Sequence, residues 1–262
     1  VTVASVLLMQ SSSMITGYAI GPAAVVLIAF PLMIYVSLTP FLATLPLLIS
    51  PVAAGISAKG EEDKLLPIFI MTVRYHTSFA FLLFVAIKIF GHPLIVAWLS
   101  GPKLGQAELS TISTGVVILF AGYALSSVAQ IGRSIMSSVG LHWPVAISEF
   151  ATALCGLVLG YLLCKFSTWG VLGVILGISG AFMIRGLICY PLMLSRYFRL
   201  SPVKLLSKTL VCPLTIGTVT IIVGEGTDYL LPDISLGGRI FRLIGIWVPQ
   251  MICWMVLTWY LV

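Results

Sequence analysis

Long runs without charged side chains decide which folds this chain can adopt. Lys59 is the first charged residue, and further apolar runs long enough to cross a membrane follow it. A helix needs about 20 apolar residues to cross the hydrocarbon core of a bilayer. Only helices and closed barrels satisfy their backbone hydrogen bonds there, and a barrel would show short strands of alternating polarity instead. We therefore predict an all-α, polytopic membrane helix bundle.

Composition excludes a soluble domain and gives no sign of a cofactor. Of the 262 residues, 60% are hydrophobic and 8% are charged, whereas about a quarter of a soluble domain is charged. The five cysteines lie in apolar runs without CxxC spacing and away from the three histidines, so we expect neither a metal site nor a cofactor. The net charge of +6 suits anionic lipid headgroups, and no basic stripe with interleaved aromatic residues indicates nucleic-acid binding.

Glycine, proline and charged residues divide the apolar sequence into eight predicted transmembrane helices. These are expected near residues 2–20, 23–53, 66–90, 109–138, 144–164, 170–195, 204–224 and 238–261. The second helix carries four prolines, and the third is expected to end at Gly91, His92 and Pro93. Proline removes a backbone donor from a helix, so bent or broken helices are predicted.

An even number of crossings leaves both termini on one face, and the loop charges indicate which face that is. The loops on that face hold seven basic residues, which are Lys59, Lys64, Arg133, Arg196, Arg199, Lys204 and Lys208. The opposite loops hold four, which are Lys103, Lys165, Arg239 and Arg242. Because loops rich in lysine and arginine stay on the inner side, both termini are predicted to be cytoplasmic.

Three basic residues fall inside predicted helices, where a charge is costly and usually faces a protein interior or water. Lys88 lies near a helix end, so its long stem can carry the charge to the headgroups. Arg74 and Arg185 lie about 12 and 15 Å from the cytoplasmic end at about 1.5 Å per residue, which favours a substrate cavity for both. Thr77 and Ser78 follow Arg74 at helical spacing and are predicted to line the same cavity.

The fourth predicted helix carries a stripe of polar residues at alternating spacings of four and three. Its members are Tyr123, Ser127, Gln130, Ser134 and Ser137, with Arg133 beside them. Serines of this kind can simply hydrogen-bond neighbouring helices. A stripe that includes glutamine, tyrosine and arginine exceeds that need, so we predict that Tyr123, Ser127, Gln130 and Arg133 line a water-accessible substrate cavity.

Glu149 is the only acidic residue deep within a predicted helix. It could relay a proton, bind a sodium ion or form a structural ion pair with an arginine, and the sequence favours the ion pair because each charge would otherwise be unpaired in hydrocarbon. Glycine pairs four residues apart, in 156–160 and 173–177, predict close helix contacts.

Catalysis finds little support in the sequence, and we do not predict an enzyme. His76, His92 and His142 lie in different segments, and the acidic run at 61–63 precedes a helix. No nucleophile motif or phosphate-binding glycine loop is present.

Short motifs follow one another in residues 45–101. They are Pro51 after a proline-rich helix, the loop 58–63, Thr72 to Arg74, and then Ile95, Trp98, Leu99 and Gly101. A second group pairs a helix containing Pro144 and Glu149 with the glycine-rich segment 169–177. In these motifs, residues 1 to about 200 resemble Wzx-type polysaccharide flippases of the multidrug/oligosaccharidyl-lipid/polysaccharide exporter superfamily.

The resemblance implies a multi-pass protein of the cell inner membrane, built from two six-helix lobes with a cavity between them. Residues 1–200 would form the second lobe, residues 201–262 an additional helix pair, and an N-terminal lobe is expected upstream. Such a transporter flips an undecaprenyl-pyrophosphate-linked oligosaccharide from the cytoplasmic to the periplasmic leaflet by alternating access, with H⁺ or Na⁺ as coupling ion. Arg74, Arg133 and Arg185 would offer donors to the pyrophosphate.

Other functions stay open at this point. A lipid II flippase of the same superfamily would also have a basic cavity. A cation-coupled multidrug exporter would favour an acidic cavity, whereas three of the four deep charges here are basic. A membrane-embedded enzyme or a structural scaffold is the remaining alternative.

Overall fold

The computed structural model describes residues 2–99 and 104–230 and is helical almost throughout. The α-helices are α1 (Thr2–Ala19), α2 (Pro22–Ala58), α3 (Leu65–Leu99), α4 (Gln106–Leu125), α5 (Ser127–Ser138), α6 (His142–Phe166), α7 (Val171–Ile184), α8 (Tyr190–Tyr197) and α9 (Pro202–Leu230). A short 3-10 turn, Glu62–Lys64, precedes α3, and a π-helical turn, Arg185–Cys189, joins α7 to α8.

Seven of the eight predicted transmembrane helices correspond to helical rods in the described part of the chain, where a rod is one helix or two consecutive helices. This confirms an all-α membrane bundle. Helices α4 and α5 form one interrupted rod, and α7, the π-turn and α8 form another. Within residues 2–99 and 104–230, five segments are long and apolar enough to cross a membrane, namely Pro22–Ala58, Glu62–Leu99, Gln106–Leu125, His142–Phe166 and Val171–Tyr197. The eighth predicted helix, 238–261, lies outside the described residues.

Proline does not break the helices where the sequence predicts it. Helix α2 continues through all four of its prolines, and α3 passes Pro93 and ends at Leu99 rather than near residue 90. Each proline removes only its own hydrogen bond, and a neighbouring side chain can replace it. Pro40 withholds a donor from the Val36 carbonyl, and the Thr39 hydroxyl donates to that oxygen at 3.2 Å.

The helices do break or widen at two places that the sequence did not indicate. The predicted helix 109–138 is interrupted at Ser126, whose hydroxyl donates to the Tyr123 carbonyl at 2.7 Å. Serine hydroxyls that bond nearby carbonyls compete with the regular helix. The π-turn begins at Arg185 and packs against the break between α4 and α5, since Gly186 lies against the backbone of Ser126.

Two hydrophobic clusters fill the bundle, one on each side of a polar layer. Ile28, Phe120 and Ile178 belong to the first cluster, and Phe69 and Ile131 belong to the second. Five of the helical rods pass from one cluster to the other, and four of these do so at buried polar residues. These residues, called the polar layer here, are His76, Thr77, Ser126, Ser127, Glu149, Thr152 and Arg185.

The glycine pairs lie at the contact between α6 and α7. A side chain at Gly173 would come within 2.8 Å of the Cys164 backbone nitrogen, and Gly156 would meet the Gly177 carbonyl oxygen at 2.8 Å. The helices therefore touch through their backbones, as the spacing of the glycines predicts.

Candidate functional site

Arg185 and Glu149 form an ion pair inside the polar layer. The Arg185 Nη1 and Glu149 Oε2 atoms are 2.6 Å apart, and the two side chains are 4% and 1% exposed. Arg185 Nε donates to the Thr152 hydroxyl at 3.1 Å, and the Tyr190 hydroxyl donates to Glu149 Oε1 at 3.1 Å. The pair joins α6 to the π-turn and α8, so each charge is neutralised where it is buried.

Arg133 carries a charge that has no carboxylate partner in the described part of the chain. Its Nη2 donates to Gln130 Oε1 at 3.0 Å, one turn earlier on α5, and both side chains are half-buried. Its field reaches buried rings on other elements, namely Tyr35, His76, Tyr123 and Tyr190.

Aromatic rings surround the polar layer on the side of the first cluster. Tyr123 lies next to His76 and Tyr35, with ring centroids 5.9 and 5.8 Å apart respectively. Phe182 stacks on Tyr35 and lies beneath the Arg185 guanidinium at 5.9 Å. These contacts hold α2, α3, α4 and α7 together at the level of the charges.

Arg74 lies at the contact between α3 and α9. Its Nε donates to the Lys208 carbonyl at 2.8 Å, and the side chain is half-buried. Thr77 is buried and donates to its own helix at Val73, at 2.7 Å. The Ser78 hydroxyl is buried without a hydrogen-bond partner among the described residues. The predicted cavity residues of α3 therefore do not meet those of α5 in the described contacts.

The polar stripe of the fourth predicted helix divides at the break. Tyr123 and Ser127 are buried within the bundle, and Ser127 donates to the Ala124 carbonyl at 2.7 Å. Gln130, Arg133 and Ser134, beyond the break, are half-buried and so partly accessible. The structure thus places Tyr123 and Ser127 in the interior of the bundle and the other residues of the stripe at its edge.

The fold is similar to that of a solved structure, the lipid II flippase MurJ in an inward closed conformation. The TM-score is 0.67 at 13% sequence identity, and the alignment covers 95% of this chain and 51% of that protein. The chain therefore spans about half the length of the flippase, and the two share a fold. Comparison with protein-family models finds no match, and neither does comparison with curated proteins.

Sequence reasoning identified the charges of the site and missed part of their surroundings. It singled out Glu149 and Arg185, and the helical positions alone do not show that they meet. Thr152 lies three residues after Glu149 on α6, a spacing that puts both on one face, and this signal was available. His76, one of three histidines in different segments of the sequence, is completely buried in the structure.

Proposed function

We propose that this chain supplies one lobe of a membrane transporter that moves a polyprenyl-pyrophosphate-linked oligosaccharide from the cytoplasmic to the periplasmic leaflet. The observation that carries the proposal is the half-buried Arg133, which lacks a carboxylate partner among the described residues. A partly buried cation without an acid to neutralise it needs an anion or water beside it. The fold shared with a lipid II flippase supports a substrate with a lipid-linked anionic headgroup.

The three arginines divide into two roles under this proposal. Arg185 is neutralised by Glu149 and acts in the structure of the lobe. Among the described residues, Arg133 and Arg74 each make one side-chain hydrogen bond, which leaves further guanidinium N–H groups for a ligand. Either guanidinium can donate bidentate hydrogen bonds to a phosphate of the pyrophosphate headgroup.

The neighbours of Arg133 suit a sugar next to the phosphates. Gln130 and Ser134 are partly accessible on the same side of α5, and Ser138 bonds Ser50 of α2 at 2.8 Å. Amides and hydroxyls donate and accept hydrogen bonds, as sugar hydroxyls require. We propose that residues 1–200 form the lobe that carries these groups and that residues 201–262 form an additional helix pair.

A lipid II flippase is the second candidate, because the similar solved structure is that of a lipid II flippase. Lipid II shares the polyprenyl pyrophosphate, so Arg133 and Arg74 would serve both substrates equally. A cation-coupled drug exporter would need an accessible acid, and Glu149 is buried against Arg185. We therefore propose recognition of the pyrophosphate headgroup that both substrates share.

Transport by arginine variants of the complete protein tests the proposed role of Arg133 and Arg74. In vesicles that contain a labelled polyprenyl-pyrophosphate-linked sugar, Arg133→Ala should slow leaflet-to-leaflet movement about tenfold or more, since a hydrogen bond to a charged group contributes about 1.5–3 kcal/mol. Arg74→Ala should slow it similarly, and lysine at either position should recover only part. Arg196→Ala is the matched control, because Arg196 is exposed in the last turn of α8. Unchanged transport in the Arg133 and Arg74 alanine variants would refute the proposed role.

A further inference from the structure

Helix α6 carries an apolar face that the described bundle leaves exposed. Its side chains recur at spacings of three and four along the helix. They are called the α6 face here and are Ile147, Phe150, Leu154, Val158 and Leu162. Glu149, the one charged residue of the sequence between 144 and 164, is buried in its ion pair. A long exposed surface without charge indicates an apolar partner, either a protein or the membrane.

Aromatic residues stand at both ends of the α6 face, at the distance that a bilayer sets. Trp143 is 75% exposed at the start of the helix, and Phe166 is 74% exposed at its end. At about 1.5 Å per residue the two lie about 35 Å apart, and the hydrocarbon core of a bilayer is about 30 Å thick. Trp169, in the turn after α6, is also exposed. Because tryptophan concentrates at membrane–water interfaces, this face has the length and the borders of a lipid-facing surface.

A lysine lies among the rings at the end of α6. The Lys165 Nζ atom is 5.6 Å from the centre of the Tyr161 ring and 5.8 Å from that of the Phe166 ring. It donates to the Tyr161 hydroxyl at 3.1 Å and forms no salt bridge within residues 2–99 and 104–230. An ammonium group has three donors, so two are left for an anion. This exposed cation lies at the border of an apolar face, where the phosphates of phospholipids are found.

A groove at the other end of the face suits a flexible hydrocarbon chain. It has a volume of about 410 Å³ between α1 and α6, and apolar side chains line it, among them Val3 of α1 and Trp143, Ile147 and Phe150 of α6. Side chains that border an empty space lose dispersion contacts on that side. An acyl chain bends at each methylene and can restore these contacts along the groove.

We propose that the α6 face binds phospholipids of the surrounding bilayer, with the phosphate of one lipid on Lys165 and acyl chains along the apolar residues. A protein partner covering this face would bury the lysine, whereas a phospholipid offers an anion at the border and hydrocarbon beyond it. The site uses neither Arg133 nor Arg74, so it goes beyond the proposed function and can be tested without transport.

Spin labels on α6 test the lipid-facing surface, with the complete protein in vesicles of phosphatidylcholine and phosphatidylglycerol. In a version without native cysteines, Trp143→Cys, Leu154→Cys and Phe166→Cys are labelled one at a time. The label at Leu154→Cys, midway along the face, should collide most with oxygen, which concentrates in hydrocarbon, and least with a water-soluble nickel chelate. Asp63→Cys is the water-accessible reference, because Asp63 is exposed in the turn before α3.

Two results of the labelling would overturn the inference. A label at Leu154→Cys that is shielded from both reagents would show that a protein covers the face. A label there that meets the nickel chelate as often as the label at Asp63→Cys would show that the face lines water. Neither result depends on which lipid the protein transports.

Binding of a labelled lipid tests the role of Lys165. A fluorescent phosphatidylglycerol is titrated onto the complete protein in detergent, with an energy-transfer dye on Thr168→Cys in the turn after α6. Lys165→Gln should weaken binding about fivefold, the effect of one lysine near an anionic surface. Lys64→Gln is the matched control, because Lys64 is also exposed and Glu61 already neutralises it at 2.9 Å. Equal affinity for Lys165→Gln and the unchanged protein, or equal binding of a fluorescent diacylglycerol that lacks the phosphate, would overturn the phosphate site.

Discussion

At the residue scale, the most deeply buried charges described are those of the ion pair between Arg185 and Glu149. Two charges that are 4% and 1% exposed lose nearly all their hydration, and their attraction repays that loss only with good geometry and further hydrogen bonds. Thr152 and Tyr190 supply those bonds, while Arg185 Nη2 has no partner among the described residues. Removing one charge should therefore cost more than removing both.

Variants of the pair test this asymmetry. Arg185→Ala should destabilise the protein by about 3–5 kcal/mol because it leaves a buried carboxylate uncompensated. The double variant Arg185→Ala with Glu149→Gln should recover much of that loss, and Arg196→Ala should change little. Thermal unfolding of the purified protein in detergent measures all three. A double variant that melts no higher than Arg185→Ala would contradict the structural role of the pair.

The Tyr190 hydroxyl, on α8, donates a hydrogen bond to the Glu149 carboxylate. Tyr190→Phe keeps the ring, which is fully buried, and removes only the hydrogen bond to Glu149 Oε1. The expected loss is about 1.5–3 kcal/mol, the usual contribution of a hydrogen bond to a charged group. Tyr161→Phe is the control, because that hydroxyl meets Lys165 at the exposed end of α6. Equal melting temperatures for the two phenylalanine variants would show that the bond to Glu149 contributes nothing.

At the element scale, the irregular turns of two rods meet each other at the polar layer. The break at Ser126 and the π-turn at Arg185 touch through Gly186, which has no side chain to separate them. π-turns within helices are frequent at functional sites. The contact lets the α4–α5 rod and the α7–α8 rod approach at the level where the buried ion pair lies.

A methyl group at Gly186 should separate these rods. The added Cβ of Gly186→Ala would come within 2.7 Å of the Leu125 carbonyl oxygen, which is backbone and cannot rotate away. Overpacking of this kind costs about 1–3 kcal/mol. Gly180→Ala on α7 is the matched control, since its Cβ would lie 3.4 Å from a flexible leucine methyl at Leu159. If Gly186→Ala melts as high as Gly180→Ala, the close approach does not stabilise the fold.

The sequence predicted the helices well and their irregularities poorly, for a physical reason. Hydropathy marks where a helix can cross the membrane, and the rods from α1 to α9 follow those runs. Whether a helix continues past Pro93 or breaks at Ser126 depends on which neighbour supplies the missing hydrogen bonds. Those neighbours lie on other helices, so the sequence alone could not show that Arg185 meets Glu149 or that His76 is enclosed.

At the scale of the whole molecule, the loops define an orientation that labelling can test. In a version without native cysteines, Asp63→Cys in the turn before α3 should resist a membrane-impermeant reagent applied to intact cells. Thr168→Cys, between α6 and α7, should react, because an odd number of crossings separates the two sites. Both positions are exposed in the structure. Labelling of Asp63→Cys from outside would reverse the orientation that the positive-inside rule predicts.

At the same scale, we expect the complete transporter to recognise a lipid by its pyrophosphate. The most direct measurement compares leaflet-to-leaflet movement of two labelled lipids in the same vesicles, a polyprenyl-pyrophosphate-linked sugar and the same sugar on the neutral polyprenol. Because Arg133 and Arg74 are expected to bind the phosphates, the first lipid should move at least about tenfold faster than the second. Equal rates for the two lipids, or no movement of the pyrophosphate-linked lipid above protein-free vesicles, would contradict the account.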